Sequence, residues 1–224
     1  MEIKNEAELL KEFCEKDELR PLLEAPFYNK KYKKIWCTNG YVLIEINPKV
    51  LTRKYPEDEL RLPELECPCK KKFNIEAINK ALDECPKVDD EIVVSEEVKC
   101  KECEGYGEVT WEYTDNNVHT HELEAECPIC YGKGYIIPKK TKKTGRKVTK
   151  EDAIISIGNA SFFARNVNKL KFAMDFLNIK SATLTHNHKG DANKFVLNED
   201  VCIIISPMYS FEEKPHDAVV ELTD

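Results

Sequence analysis

Two cysteine frames constrain this chain more than any other feature. Cys100-Lys-Glu-Cys103-Glu-Gly-Tyr-Gly is matched by Cys127-Pro-Ile-Cys130-Tyr-Gly-Lys-Gly, so each reads C-x-x-C-x-G-x-G. Two thiolates at this spacing reach one tetrahedral ion, and two such pairs close a four-sulfur shell. The glycines permit the positive φ and close backbone approach that a knuckle turn around a metal requires. Four of the chain's eight glycines fall in these frames, and their repetition argues against a chance pairing. The 23 residues between the frames, 104 to 126, suit a ribbon-like hairpin. The expected site is one structural Zn2+ held by Cys100, Cys103, Cys127 and Cys130. A complete thiolate shell leaves no coordination position for water, which excludes a hydrolytic role, and metal binding is coupled to folding of the module.

The remaining composition narrows the class. A chain of 224 residues, 42% hydrophobic and 33% charged, suits a soluble globular protein of one large or two small domains. The net charge, 34 − 41 = −7, does not draw nucleic acid to the surface as a whole, so such contact requires a local basic face. No apolar run has the length of a membrane span, and the N-terminus lacks a signal peptide's apolar region, so the cytoplasm is the expected compartment. In that setting the ten cysteines read as metal thiolates and buried free thiols rather than disulfides.

Periodicity predicts an amphipathic helix over 5–15, with Ala7, Leu9, Leu10, Phe13 and Cys14 on one side and Asn5 with Glu8 as a capping box. Strands are expected over 19–28 and 32–47 around an Asn39-Gly40 turn, and a charged connecting loop over 51–72. A second helix spans about 74–85 behind an Asn74 cap, followed by a short strand at Glu91–Val94. Within 98–137, Glu108–Tyr113 and Val118–Leu123 read as a hairpin. The lysine-rich stretch 139–147 reads as an exposed loop. The last third offers strands at Ala153–Gly158, Ala182–Thr185, Lys194–Leu197 and Val201–Ser206, with a helix over 163–177 carrying Val167, Leu170, Met174 and Leu177. Residues 210–224 read as a loose acidic tail. The expected class is α+β, with one discontinuous domain (1–97 and 138–209), an inserted metal module (98–137) and the tail.

Two stretches resemble the bacterial DNA sliding clamp family. One is Asp17-Glu-Leu-Arg-Pro-Leu-Leu-Glu24 through Ile35-Trp-Cys-Thr-Asn-Gly-Tyr-Val-Leu-Ile44; the other is Ile155-Ser-Ile-Gly158, Phe163-Ala-Arg165, the helix to Leu177, and Ile203-Ile-Ile-Ser-Pro-Met208. Asn39 stands where the family has Asp, and Tyr41-Val42 where it has His-Arg. The family has no four-cysteine module, and its subunits carry three domains, more than this length holds. The resemblance implies helix-plus-antiparallel-sheet repeats, association with DNA and replication proteins, and assembly of several copies into a ring. It also implies helices that carry basic residues towards DNA, here Lys11, Arg165, Lys169 and Lys171, and a partner-binding position at Pro207 and Met208. The cysteine frames resemble the cysteine-rich domain of DnaJ-type co-chaperones, but the His-Pro-Asp segment of a J-domain is absent, so only the knuckle carries over.

Other groups read as ordinary. Cys67 and Cys69 could join Cys85 at a second metal but lack a fourth partner, so they read as thiols. His119 with His121, and His186 with His188, could each bind a metal, yet no H-E-x-x-H frame accompanies them. Lys139, Lys140, Lys142 and Lys143 could neutralise phosphates without reading sequence, as could Lys30–Lys34 and Lys70–Lys72; solvated surface is the competing reading. No nucleophile–base arrangement, phosphate loop or dinucleotide fingerprint is present. The leading expectation is a non-enzymatic clamp-like protein holding DNA or replication partners. The alternatives are a zinc-ribbon adaptor of phage or mobile-element origin and a metal-dependent enzyme.

Overall fold

Val201–Ile205 is buried at all five positions, which a strand sustains only where both faces are covered. In the computed structural model it lies inside an eight-stranded sheet. The structure describes residues 3–17, 19–62, 65, 67–94, 96–137, 140–208 and 215–223.

In chain order, α1 (Glu6–Lys11) precedes β1 (Phe27–Asn29), β2 (Lys34–Thr38), β3 (Val42–Ile46), β4 (Glu57–Asp58), β5 (Pro68–Asn74), α2 (Ile75–Glu84) and β6 (Lys87–Val93). β7 (Val98–Lys99), β8 (Glu108–Thr114), β9 (Thr120–Glu126), β10 (Tyr135–Ile136) and β11 (Thr141–Thr149) follow. β12 (Ile154–Ile157), β13 (Ala160–Phe163), α3 (Ala164–Phe176), β14 (Ser181–His186), β15 (Asn193–Val196), β16 (Val201–Ile205) and β17 (Ala218–Val220) complete the chain. The class is α+β. Two compact units result, Met1–Val88 with Thr149–Asp224, and Asp89–Val148.

In the first unit the strand order is β4-β1-β2-β3-β16-β15-β14-β5. Pairing is antiparallel except between β1 and β4. A helix leading into a three-strand meander occurs twice, as α1–β1–β2–β3 and α3–β14–β15–β16. The meanders meet at the centre, where Ile44 faces Ile203. Alternation along β3 and β16 supplies both faces of the sheet. Val42, Ile44, Ile46, Ile203 and Ile205 join Leu9 and Leu10 of α1, Ile78 of α2 and Val167, Leu170 and Met174 of α3. Leu43 and Ile204 point the other way, into a smaller core with Phe27 and Trp36 covered by Leu22, Leu60, Leu62 and Leu65. Each such fully buried side chain contributes roughly 1.5–3 kcal/mol. A second sheet of β13, β12 and β17 completes the unit.

In the second unit β8 and β9 form a hairpin from Glu108↔Glu126 to Thr114↔Thr120, and β7 pairs with β10. Most of β6 and β11 also lies here, and the two strands pair.

Several expectations need correction. The first helix ends at Lys11, and Asn5 sits at φ 57 with no side-chain cap, so the capping box is not formed. Ala7 is exposed; Glu6 is buried instead, because it accepts bonds from the amides of Thr52 and Arg53 and the hydroxyl of Tyr55. The strand expected over 19–28 shrinks to β1, since Pro21 opens a 3-10 turn and has no amide to pair. The loop expected over 51–72 contains β4 and β5. β5 is an edge strand, where Pro68 at its start and exposed lysines are tolerated. The stretch 139–147 is largely strand β11, not a loop, because Asp89 and Asp90 of β6 meet its cations: Lys143 and Lys147 each lie 2.6 Å from Asp89, and Arg146 3.3 Å from Asp90. Of the tail expected over 210–224, residues 210–214 and 224 lie outside the described residues, and the remainder contributes β17, with Ala218 and Val220 buried and paired in parallel with Ile155 and Ile157 of β12. The Asn74 cap does form, through its side chain and the Ala77 amide.

Candidate functional site

The two knuckles bring their four sulfurs within 4.8 Å of one another, and all four cysteines are buried. Cys100 Sγ lies 3.9 Å from Cys127 Sγ, and Cys103 Sγ 3.7 Å from Cys130 Sγ. A tetrahedral ion with metal–sulfur bonds of about 2.3 Å requires sulfur–sulfur edges of about 3.8 Å. Two edges match that value and all lie within 4.8 Å, so the arrangement is compatible with one metal ion.

The local sequence explains the fit twice over. The Gly107 amide donates to Cys103 Sγ at 3.3 Å, and the Gly134 amide to Cys130 Sγ at 3.2 Å. The Cys127 amide donates to the Gly107 carbonyl, and the Cys100 amide to the Gly134 carbonyl. Gly107 has φ +84, and a Cβ there would sit 2.3 Å from the Gly132 carbonyl oxygen. Gly134 has φ +78, and its Cβ would sit 2.4 Å from the Gly105 carbonyl oxygen. Each frame thus packs its backbone on the other's, and no side chain fits between them. Burial pushes the Cys103 thiol up, but the Gly107 and Gly105 amides and neighbouring sulfurs outweigh it and bring it down to about 7. Burial dominates at Cys130 and pushes it up to about 11 against the Gly134 amide. Val109 and Ile136 shield the cluster.

A second feature lies wholly in the first unit. A cavity of about 700 Å3 is lined by Leu22, Leu23, Tyr41, Leu43, Leu60 and Pro207, together with Arg20 and Arg61. Pro207 follows β16, and Met208 is held by its amide on the Ser161 carbonyl. Leu60 and Arg61 were not singled out from sequence; the signal was the apolar spacing Leu60, Leu62, Leu65 inside a charged segment.

The other candidates are dispersed. Lys11 and Arg165 are exposed, and the Arg165 guanidinium stacks over Phe163. Lys169 donates to the Glu12 carbonyl and approaches its carboxylate at 3.3 Å, and Lys171 lies 2.6 Å from Asp175. Lys140 and Lys142 are exposed, Lys143 pairs with Asp89, and Lys139 lies outside the described residues. His119 and His121 both lean on Asp115 Oδ2, at 3.6 and 3.2 Å. His188 Nδ1 accepts from the amides of Gly190 and Asp191. Burial lowers the His186 pKa, and Lys194 adds to it. Among the described residues the four cysteines alone meet ligand geometry for a metal.

No family model matches the chain, and no curated protein matches it. Solved structures similar to it include bacterial β sliding clamps. The C. crescentus clamp aligns over 92% of this chain at 10% identity and TM-score 0.40. A clamp from Bartonella birtlesii aligns over 92% at 8% identity and TM-score 0.43, and the β chain of DNA polymerase III from Streptococcus pneumoniae over 94% at 15% and 0.41. The chain spans 64% of the length of each.

Proposed function

We propose that this protein is a non-enzymatic, sliding-clamp-like factor that holds DNA or replication proteins, with one Zn2+ bracing the 98–137 module through Cys100, Cys103, Cys127 and Cys130. One observation carries the reading. The two stretches that resemble clamps are separated by 110 residues of chain, yet they pair through β3 and β16 and together line one apolar cavity. Tyr41 and Leu43 come from the first stretch, Ile204 and Pro207 from the second. The doubled helix–meander pattern supports the same reading. The cavity suits a short apolar segment of a partner protein, with Pro207 in its lining and Met208 next in the chain. DNA contact falls to Lys11, Arg165, Lys140 and Lys142, acting by counterion release and without base readout. The working compartment is the cytoplasm, and encirclement of DNA needs several copies.

DNA affinity measured against salt tests this reading. Binding is expected at low salt, with log K falling no more steeply than about −4 per decade, since Lys143, Lys169 and Lys171 are already ion-paired. Absence of low-salt binding to both single- and double-stranded DNA removes the DNA half. Leu43→Asp is expected to abolish partner capture at the cavity; undiminished capture removes the other half.

A second reading, a protein-interaction adaptor, is favoured by the hairpin. Residues 108–126 hold six acidic residues and no lysine or arginine. Glu108 faces Glu126 and Glu112 faces Glu122 across the ladder, pairs that repel. Trp111, Tyr113 and Leu123 are exposed. Such a surface suits a protein with a basic rim and disfavours DNA. A partner complex that survives high salt while DNA binding is absent selects this reading.

A further inference from the structure

Cys14 and Cys37 belong to neither the knuckles nor the cavity, yet their sulfurs lie 2.7 Å apart. A disulfide bond is roughly 2.05 Å long, so only about 0.7 Å separates this contact from a covalent link. Cys14 follows α1 and is half-buried; Cys37 is in β2 and is fully buried. Both thiols face the Leu10 carbonyl oxygen, Cys37 at 3.1 Å and Cys14 at 3.5 Å. The Leu10 carbonyl thus lies against both sulfurs where the chain after α1 meets β2, although the residues are 23 apart in sequence.

We propose that Cys14 and Cys37 form a redox pair, in which a small-molecule disulfide oxidises the two thiols to a bond that ties α1 to β2. The hydrogen bond from Cys37 favours the thiolate at Cys14 despite partial burial, and the Lys169 ammonium adds to it. The Cys14 hydrogen bond and burial keep the Cys37 proton on. The roles divide accordingly. Cys14 Sγ, on the less buried residue of the two, attacks one sulfur of the small disulfide; that S–S bond breaks, and one small thiolate leaves with the electron pair and takes up the Cys14 proton. Cys37 Sγ then attacks Cys14 Sγ, the mixed disulfide breaks, and the second small thiolate leaves and takes up the Cys37 proton. The protein loses two electrons and two protons, and the small disulfide becomes two thiols. The tie lies one residue from Thr38, which borders the apolar cavity, so it fixes the wall of that site against α1.

The test uses the full chain incubated with oxidised glutathione, alkylated and digested without reductant, and read by mass spectrometry. The expected product is a peptide pair joined through Cys14 and Cys37, lost completely in Cys14→Ser. Cys37→Ala is expected to stop the reaction half-way, with glutathione retained at Cys14. The idea is overturned if both residues of the unaltered chain remain alkylatable while the exposed Cys67 is modified. It is equally overturned if glutathione stays on Cys14 in the unaltered chain and no link to Cys37 forms. Both decisive readings come from the native sequence, so a folding defect in either variant does not obscure them.

Discussion

Glu6 is a buried carboxylate that accepts from the amides of Thr52 and Arg53 at 2.7 and 2.9 Å and from the Tyr55 hydroxyl at 3.0 Å. It pins α1 to a segment more than 45 residues away. Glu6→Ala removes the acceptor shared by two amides and the Tyr55 hydroxyl, and a fall of about 1–2 kcal/mol in unfolding free energy is expected, measured by urea titration. The periodicity of 5–15 pointed at Ala7 because nothing near Glu6 in sequence reveals its partners. Gly107 is the opposite case. Its need for positive φ was legible from the frame alone, and the structure adds the reason, a facing carbonyl oxygen that occupies the space of a Cβ. Gly107→Ala is expected to lower bound zinc per chain, read by metal analysis, from one to well below one. Gly190→Ala, whose Cβ meets no atom closer than 3.8 Å, leaves that ratio unchanged.

Strands β6 and β11 show what a charge run conceals. The lysines of 139–147 suggested solvated loop, but Lys143 and Lys147 converge on Asp89 and hold its carboxyl down at about 2. A carboxylate whose folded pKa is depressed adds stability above its ordinary pKa and loses it as pH falls. The pairing of β6 with β11 therefore keeps its full ionic contribution above about pH 4 and sheds it towards pH 2. The pair is partly exposed, so the effect is modest and salt-sensitive. Amide exchange across Thr141–Thr149 is expected to quicken through that window, and Asp89→Asn to quicken it already at neutral pH. β17 was hidden for a different reason: three residues after a charged stretch carry too little pattern to announce a strand. Val220 is buried against β12. Val220→Asp is expected to cost about 3 kcal/mol or more in chemical unfolding, since the new carboxylate has no partner there.

At the scale of the molecule, the repeated helix and meander bury one stripe per helix and both faces of β3 and β16, which gives the first unit a large core on one face of the sheet and a smaller one on the other. Among the described residues, the second unit has little apolar core beyond its sulfur cluster, Val109 and Ile136. Its order is expected to depend on metal. Chelation should abolish the protected amides of Glu108–Glu126 in hydrogen exchange while Val201–Ile205 stays protected; equal loss in both would show that the metal supports the whole fold. The sequence alone determined the paired cysteine knuckles, the α+β class and the two long helices, because each rests on local chemistry: cysteine spacing, glycine conformation and a 3.6-residue apolar period. Tertiary structure decided the rest. Pairing of β3 with β16, capture of β17 by β12, the cavity between distant stretches and the meeting of Cys14 with Cys37 all depend on which remote segments become neighbours. That choice is made by burial summed over the entire core, and no short window of residues carries it.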